Sequence, residues 1–145
     1  PHVFVCAPTH PLAQLGQIGP EDLRPYNFIV REQGSGTRVA MEKFFEQVHI
    51  EPRLKMQLHS NETLKQAVMA GLGLGFVSLH TIGLEIQQGL IHVLDVQSTP
   101  VVRAWNIVHT QSKMLSPVAA ALRYFVLENG ESYLADRFGP LRPNV

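Results

Sequence analysis

The chain has 145 residues, 45% of them hydrophobic and 17% charged, a composition that folds rather than stays disordered and that buries about 70% of the unfolded surface. Twelve basic and twelve acidic residues cancel, which weighs against this chain gripping a nucleic-acid backbone by itself. No run of 18 apolar residues occurs, so no membrane-spanning helix is expected, and the single cysteine, Cys6, leaves no internal disulfide and suits a reducing cytoplasm.

The opening PHVFVCAP has neither an initiator Met nor a charged leader, so the chain is expected to be a piece of a longer protein. Residues 3–7 form a short apolar run that reads as a buried strand ended by Pro8 and Pro11, with Cys6 as an inert thiol inside it. Pro20-Glu21-Asp22-Leu23 has the Pro and acids of a single helical turn. Residues 27–30 are a second strand, and it feeds the loop Gln33-Gly34-Ser35-Gly36-Thr37.

After that loop the spacing predicts a helix over 37–49, with Met41, Phe44, Phe45 and Val48 on one face. Pro52 stops it. Residues 53–59 alternate, with Leu54, Met56 and Leu58 on one side, and read as a half-exposed strand. A second helix opens at Ser60 or Asn61, buries Leu64, Ala67 and Val68, and ends at Gly71.

LGLGFVSL reads as a small-residue strand and HTIGLEIQQG as a short helix. LIHVLDV and RAWNIVHT read as strands, and Trp105 in the latter reads as core. LSPVAAALRYFVLENG predicts a third long helix that sets Leu115, Val118, Ala119, Leu122 and Val126 on one side and closes at Gly130. ESYLADRF could add a short helix, and GPLRPNV reads as a frayed tail. The alternation of strands and helices indicates an α/β architecture with helices on both faces of a sheet.

The loop at 33–37 occupies the place where such folds bind ligands, beyond a strand and before a helix. It fits no catalytic signature. A Walker loop requires Gly five residues before Gly36 and Lys after it, where Arg31 and Thr37 stand. A dinucleotide fingerprint requires Gly at position 39, which is Val. A hydrolase elbow requires one residue between each glycine and the serine, whereas Ser35 touches both. The seven histidines lack metal-ligand spacing. What remains is a small-anion cradle of amides, two hydroxyls and a helix dipole, beside the plainer possibility that Ser35 or Thr37 only caps the helix.

HPLA after an apolar strand, then FIVREQGSGTR, then EP with LHSNETLKQAVMAGLGLGFVS, and a late LSPVAAALRYF, together resemble the effector-binding domain of LysR-type transcriptional regulators, from His2 to about Phe125. REQGSGTR and YFVLENGESYLA are similar to the branch that regulates carbon-fixation operons. The resemblance implies a periplasmic-binding-protein-like (type 2) fold of two α/β lobes joined by crossing strands, with a ligand in the cleft. By that frame residues 1–8 are a crossing strand from the first lobe. Residues 9–102 are the second lobe, 103–130 the returning crossing strand and helix, and 131–145 a C-terminal tail.

The resemblance also places Gln33, Gly34, Ser35, Gly36 and Thr37 at the effector, with Asn61 and Trp105 as further candidates. The donors of the loop suit a carboxylate or phosphate metabolite as effector. The lack of an acid–base or nucleophile pair leaves no enzymatic role expected, exposed first-lobe contacts favour homo-oligomerisation, and no cofactor is expected. DNA is contacted only through a helix-turn-helix outside this chain, and no membrane is involved. A solute-binding protein of the same fold is the alternative.

Overall fold

A computed structural model describes residues 1–112 and 114–138. Five strands, β1 (His2–Cys6), β2 (Asn27–Arg31), β3 (Arg53–Leu58), β4 (Leu74–Ser78) and β5 (His92–Val93), form one sheet in the order β3-β2-β4-β1-β5. β2 runs parallel to β3 and β4, while β1 runs antiparallel to β4 and β5. The helices are α1 (Gly36–Gln47), α2 (Asn61–Met69), α3 (Gly83–Gln87) and α4 (Pro117–Phe138), with short 3-10 turns at Pro11–Gln14, Pro20–Leu23 and Leu79–Thr81.

The chain steps outward from β2 through α1 to β3, then back over β2 through α2 to β4. Because parallel crossovers are right-handed, opposite steps lay the two helices on opposite faces. The core divides accordingly. Phe4, Cys6, Phe28, Val30, Leu74 and Phe76 meet Met41, Phe44 and Phe45 of α1, while Val3, Val5, Ile29 and Val77 meet Leu64, Ala67 and Val68 of α2. Phe4 is the hub of the first cluster, with the rings of Phe28, Phe44, Phe45 and Phe76 centred 4.8–5.9 Å away. On the second face α2 lies so close to β4 that a Cβ on Gly75 would stand 2.8 Å from Val68 Cγ2.

Helix α2 shows its boundary chemistry plainly. Ser60 Oγ accepts from the Thr63 amide at 3.1 Å. At the other end Gly71 turns left-handed (φ +74°), and the amides of Gly71 and Leu72 return to the Val68 and Ala67 carbonyls, closing a Schellman cap.

Five expectations are corrected. RAWNIVHT forms no strand: residues 103–109 are irregular and exposed, and no ladder partner lies beside them among the described residues. Trp105, expected in the core, is 85% exposed for the same reason. α4 runs through Gly130 to Phe138, because one glycine costs only about 1 kcal/mol against Ala and the following ESYLADRF has no breaker. β3 is a sheet edge with Leu54 and Met56 exposed, so its alternation buries little. LIHVLDV shrinks to the two ladder residues of β5, and the turn at Pro11–Gln14 was not anticipated. The expected tail GPLRPNV lies outside the described residues.

Candidate anion site

The C-terminal ends of β2, β3 and β4 lie at one edge of the sheet, and α1 and α2 both start there. β1 is antiparallel to β4, so its first residues join the same edge, with His2 opposite Ser78. This is the open end of a doubly wound sheet, where ligands are held.

The loop between β2 and α1 is shaped by two backbone contacts. The Glu32 amide donates to the Leu58 carbonyl at 3.1 Å, and the Ser35 amide donates back to the Glu32 carbonyl at 3.2 Å. Gly34 takes φ +83° to make the turn, a conformation costly for a side chain with a Cβ. Ser35 is the N-cap residue by backbone, and Val39 donates to its carbonyl at 3.0 Å, but its hydroxyl makes no capping bond. The amides of Gly36, Thr37 and Arg38 precede the first intrahelical bond and have no helical acceptor. The helix start is therefore open, and the plain capping role does not account for Ser35.

Thr37 turns its hydroxyl toward His2, with Oγ1 3.4 Å from Nε2. His2 is only 9% exposed and stacks on Phe76 at 5.6 Å between ring centroids. Its Nδ1 is buried with no hydrogen-bond partner among the described residues. Burial above all, with the nearby Arg103 and His80 acting the same way, drives its pKa down to about 4. The imidazole is neutral at physiological pH.

Arg103 completes this corner. The amide and carbonyl of His2 pair with those of Val101 at 2.8 and 2.9 Å, which carries the following residues past the start of α1. The guanidinium lies against the backbone of Gly36: a Cβ there would stand 2.7 Å from Nη1. No carboxylate pairs with Arg103 among the described residues.

Arg31 forms a second polar knot. Its Nε and Nη2 donate to Glu32 at 2.8 and 2.9 Å, and Nη1 donates to Asn61 Oδ1. The bidentate pair holds the Glu32 carboxyl down near about 2. Asn61 thus stands at the same edge as the loop, with its carbonyl oxygen bound to Arg31. Arg38, in the first turn of α1, is 7% exposed, donates from Nε to Glu42 at 2.6 Å, and has a buried Nη1 without a partner among the described residues.

The geometry brings together Ser35, Gly36 and Thr37, with Gln33 and Gly34 exposed beside them, and sets Asn61 at the neighbouring helix start. It does not bring in Trp105, which makes no hydrogen bond or ring pair with the loop among the described residues. Sequence reasoning missed His2 and Arg103, whose places depend on the pairing of residues 2 and 101. The only sequence signal was a lone Arg leading an apolar run.

Chemically the corner offers donors and positive charge. The Thr37–His2 contact is not a nucleophile–base pair in working order, since no carboxylate among the described residues orients His2 Nδ1 and its low basicity makes it a poor proton acceptor. Among the described residues, no group of three or more His, Cys, Asp or Glu side chains could hold a metal ion. No described helix is long and apolar enough to cross a membrane.

The family profile of the LysR substrate binding domain matches residues 1–131. The chain is 44% identical over 143 residues to the HTH-type transcriptional regulator CfxR of Cupriavidus necator, covering 99% of this chain and 45% of that protein. It is 47% identical over 127 residues to a RuBisCO operon transcriptional regulator of Allochromatium vinosum, covering 88% of this chain and 42% of the relative. The chain thus spans less than half the length of these relatives. Among solved structures, the CcmR regulatory domain of Synechocystis PCC6803 in complex with 2-PG superposes with a TM-score of 0.82 at 32% identity, over 88% of this chain and 62% of that one.

Proposed function

Since the chain belongs to the LysR substrate binding domain family, whose fold is periplasmic-binding-protein-like (type 2), we propose that its effector is a small anionic metabolite held at the start of α1. The observation that carries this reading is the open helix start: three amides without helical acceptors, a Ser35 hydroxyl free of capping, and Thr37 beside them. A helix N-terminus of this kind favours negative charge by about 0.3–1 kcal/mol per charge at an exposed site and by more where it is partly buried. The complex of the CcmR regulatory domain with 2-PG supports an anionic effector.

Further parts of the reading concern the protein as a whole. The relatives are named as transcriptional regulators, which favours a cytoplasmic sensor over a solute carrier of the same fold. Residues 1–8 and the irregular segment 103–109 act as the two connections between lobes, with 9–102 as one lobe and the helix after Ser116 returning to the other. DNA is read by a helix-turn-helix outside this chain, and effector binding biases two lobe arrangements within a homo-oligomer. The regulated genes are those of carbon fixation.

The test is the double variant S35A/T37A in the complete protein, assayed by thermal shift and by gel shift on operator DNA with and without 2-PG. The variant is expected to keep its unfolding midpoint and lose most of the response to 2-PG. A response equal to that of the parent contradicts the assignment of the loop.

A further inference from the structure

We propose that Arg103 gives this site selectivity for a phosphoryl group over a carboxylate, its guanidinium and the amides at the start of α1 gripping the anion from two sides. The proposal rests on the reading of the loop as the effector site and adds to it a residue from outside the loop.

The first argument is electrostatic. The N-terminus of a helix carries roughly half a positive charge, and the first turn of α1 contains no acid to balance it. Against that terminus lies a full guanidinium charge with no carboxylate partner among the described residues. Two positive groups held side by side repel. A bound anion that touches both converts that repulsion into two attractions, and a dianion matches the combined charge better than a monoanion.

The second argument is a count of donors. Gly36, Thr37 and Arg38 present amides, Ser35 and Thr37 present hydroxyls, and Arg103 presents Nη1 and Nη2. A carboxylate has about four acceptor positions on two oxygens, whereas a phosphoryl group spreads its acceptors over three. A planar guanidinium also suits two-point contact with a phosphoryl group better than a lysine would.

The third argument is independent of the helix. His2, nine-tenths buried, aims Nε2 at Thr37 from 3.4 Å and leaves Nδ1 without a partner. A buried ring nitrogen without a partner costs free energy, which a water or a bound ligand would offset. His2 also bonds through its backbone to Val101 and so fixes where Arg103 emerges.

Gly36 supplies the control. An alanine methyl there would stand 2.7 Å from Nη1 and 3.3 Å from Nη2, displacing the far end of a flexible side chain. Gly36 is the first residue of α1 and does not take a positive φ, so an alanine fits its backbone. G36A therefore moves Arg103 without weakening the fold.

The experiment is calorimetric titration of the complete protein with 2-PG, inorganic phosphate and acetate, for the parent, R103Q, R103K, G36A and S35A/T37A. The parent is expected to prefer phosphate to acetate. R103Q should bind 2-PG about tenfold or more weakly, the scale of one lost charge-assisted contact, and lose that preference, with R103K between the two. G36A should weaken 2-PG in the same direction while its unfolding midpoint holds or rises. The G36A/R103Q pair should add little to R103Q alone, as coupled residues do. Unchanged 2-PG binding in R103Q with weakened binding in S35A/T37A overturns the role of Arg103 and leaves the loop site standing. Unchanged binding in both sets, or no binding by the parent, overturns the loop site and the proposal together.

Discussion

At the scale of single residues, His2 carries the sharpest consequence of burial. Its folded pKa of about 4 lies below the ordinary imidazole value of 6.5, so the unfolded chain binds more protons between those limits. The stability contributed by neutral His2 is fully present above pH 6.5 and is lost as pH falls toward 4. His10 and His80, both lowered by burial, act in the same direction. Urea denaturation at pH 7.5 and pH 5 should show the parent losing stability on the order of 2 kcal/mol, and H2Q losing clearly less. Equal losses in parent and variant would remove His2 as the main source. Little of this was legible beforehand. Ser60 and Gly71 announced their caps because capping is local chemistry between near neighbours in sequence. His2 looked like one scattered histidine, because its burial depends on Phe76, Thr37 and Val101, all far away in the chain.

At the scale of elements, α2 is tied to the turn at Leu79–Thr81 and to α3 by Lys65. Its Nζ sits 2.7 Å from Glu62 Oε1 and 2.8 Å from Glu85 Oε1, and donates to the Thr81 carbonyl at 3.1 Å. Burial, the largest influence, lowers the Lys65 pKa, but the two carboxylates together outweigh it and hold the amine charged. The side chains of Lys65 and Glu85 are 6% and 15% exposed, so K65M strands a carboxylate in a shielded place. Urea denaturation at pH 7 should show a loss of about 3 kcal/mol, with partial recovery in K65M/E85L. A loss below about 1 kcal/mol would mean that solvent reaches the pair freely.

The periodicity of α2 revealed its apolar stripe of Leu64, Ala67 and Val68, yet gave no hint that Lys65 beside them is also buried. α4 shows the opposite failure. Its apolar positions Val118, Leu122 and Val126 read as a buried face, but they are exposed and no described element covers them. Periodicity reports which residues could be covered, and coverage depends on what the helix meets.

At the scale of the whole molecule, the doubly wound order β3-β2-β4 gathers the starts of α1 and α2 at one sheet edge, and antiparallel β1 adds His2 to that edge. Alternating strand and helix patterns made the layered architecture and the loop's position legible from sequence. The order of the strands, the antiparallel entry of β1 and the return of Val101 beside His2 were not legible, and these are what bring His2 and Arg103 to the candidate site. The central claim is that the effector's anion meets the first amides of α1. Amide chemical-shift mapping of the protein by NMR during titration with 2-PG tests it most directly. The largest shifts are predicted at Gly36, Thr37 and Arg38, with Ser35 close behind. Saturable 2-PG binding that leaves those amides unmoved would contradict the account.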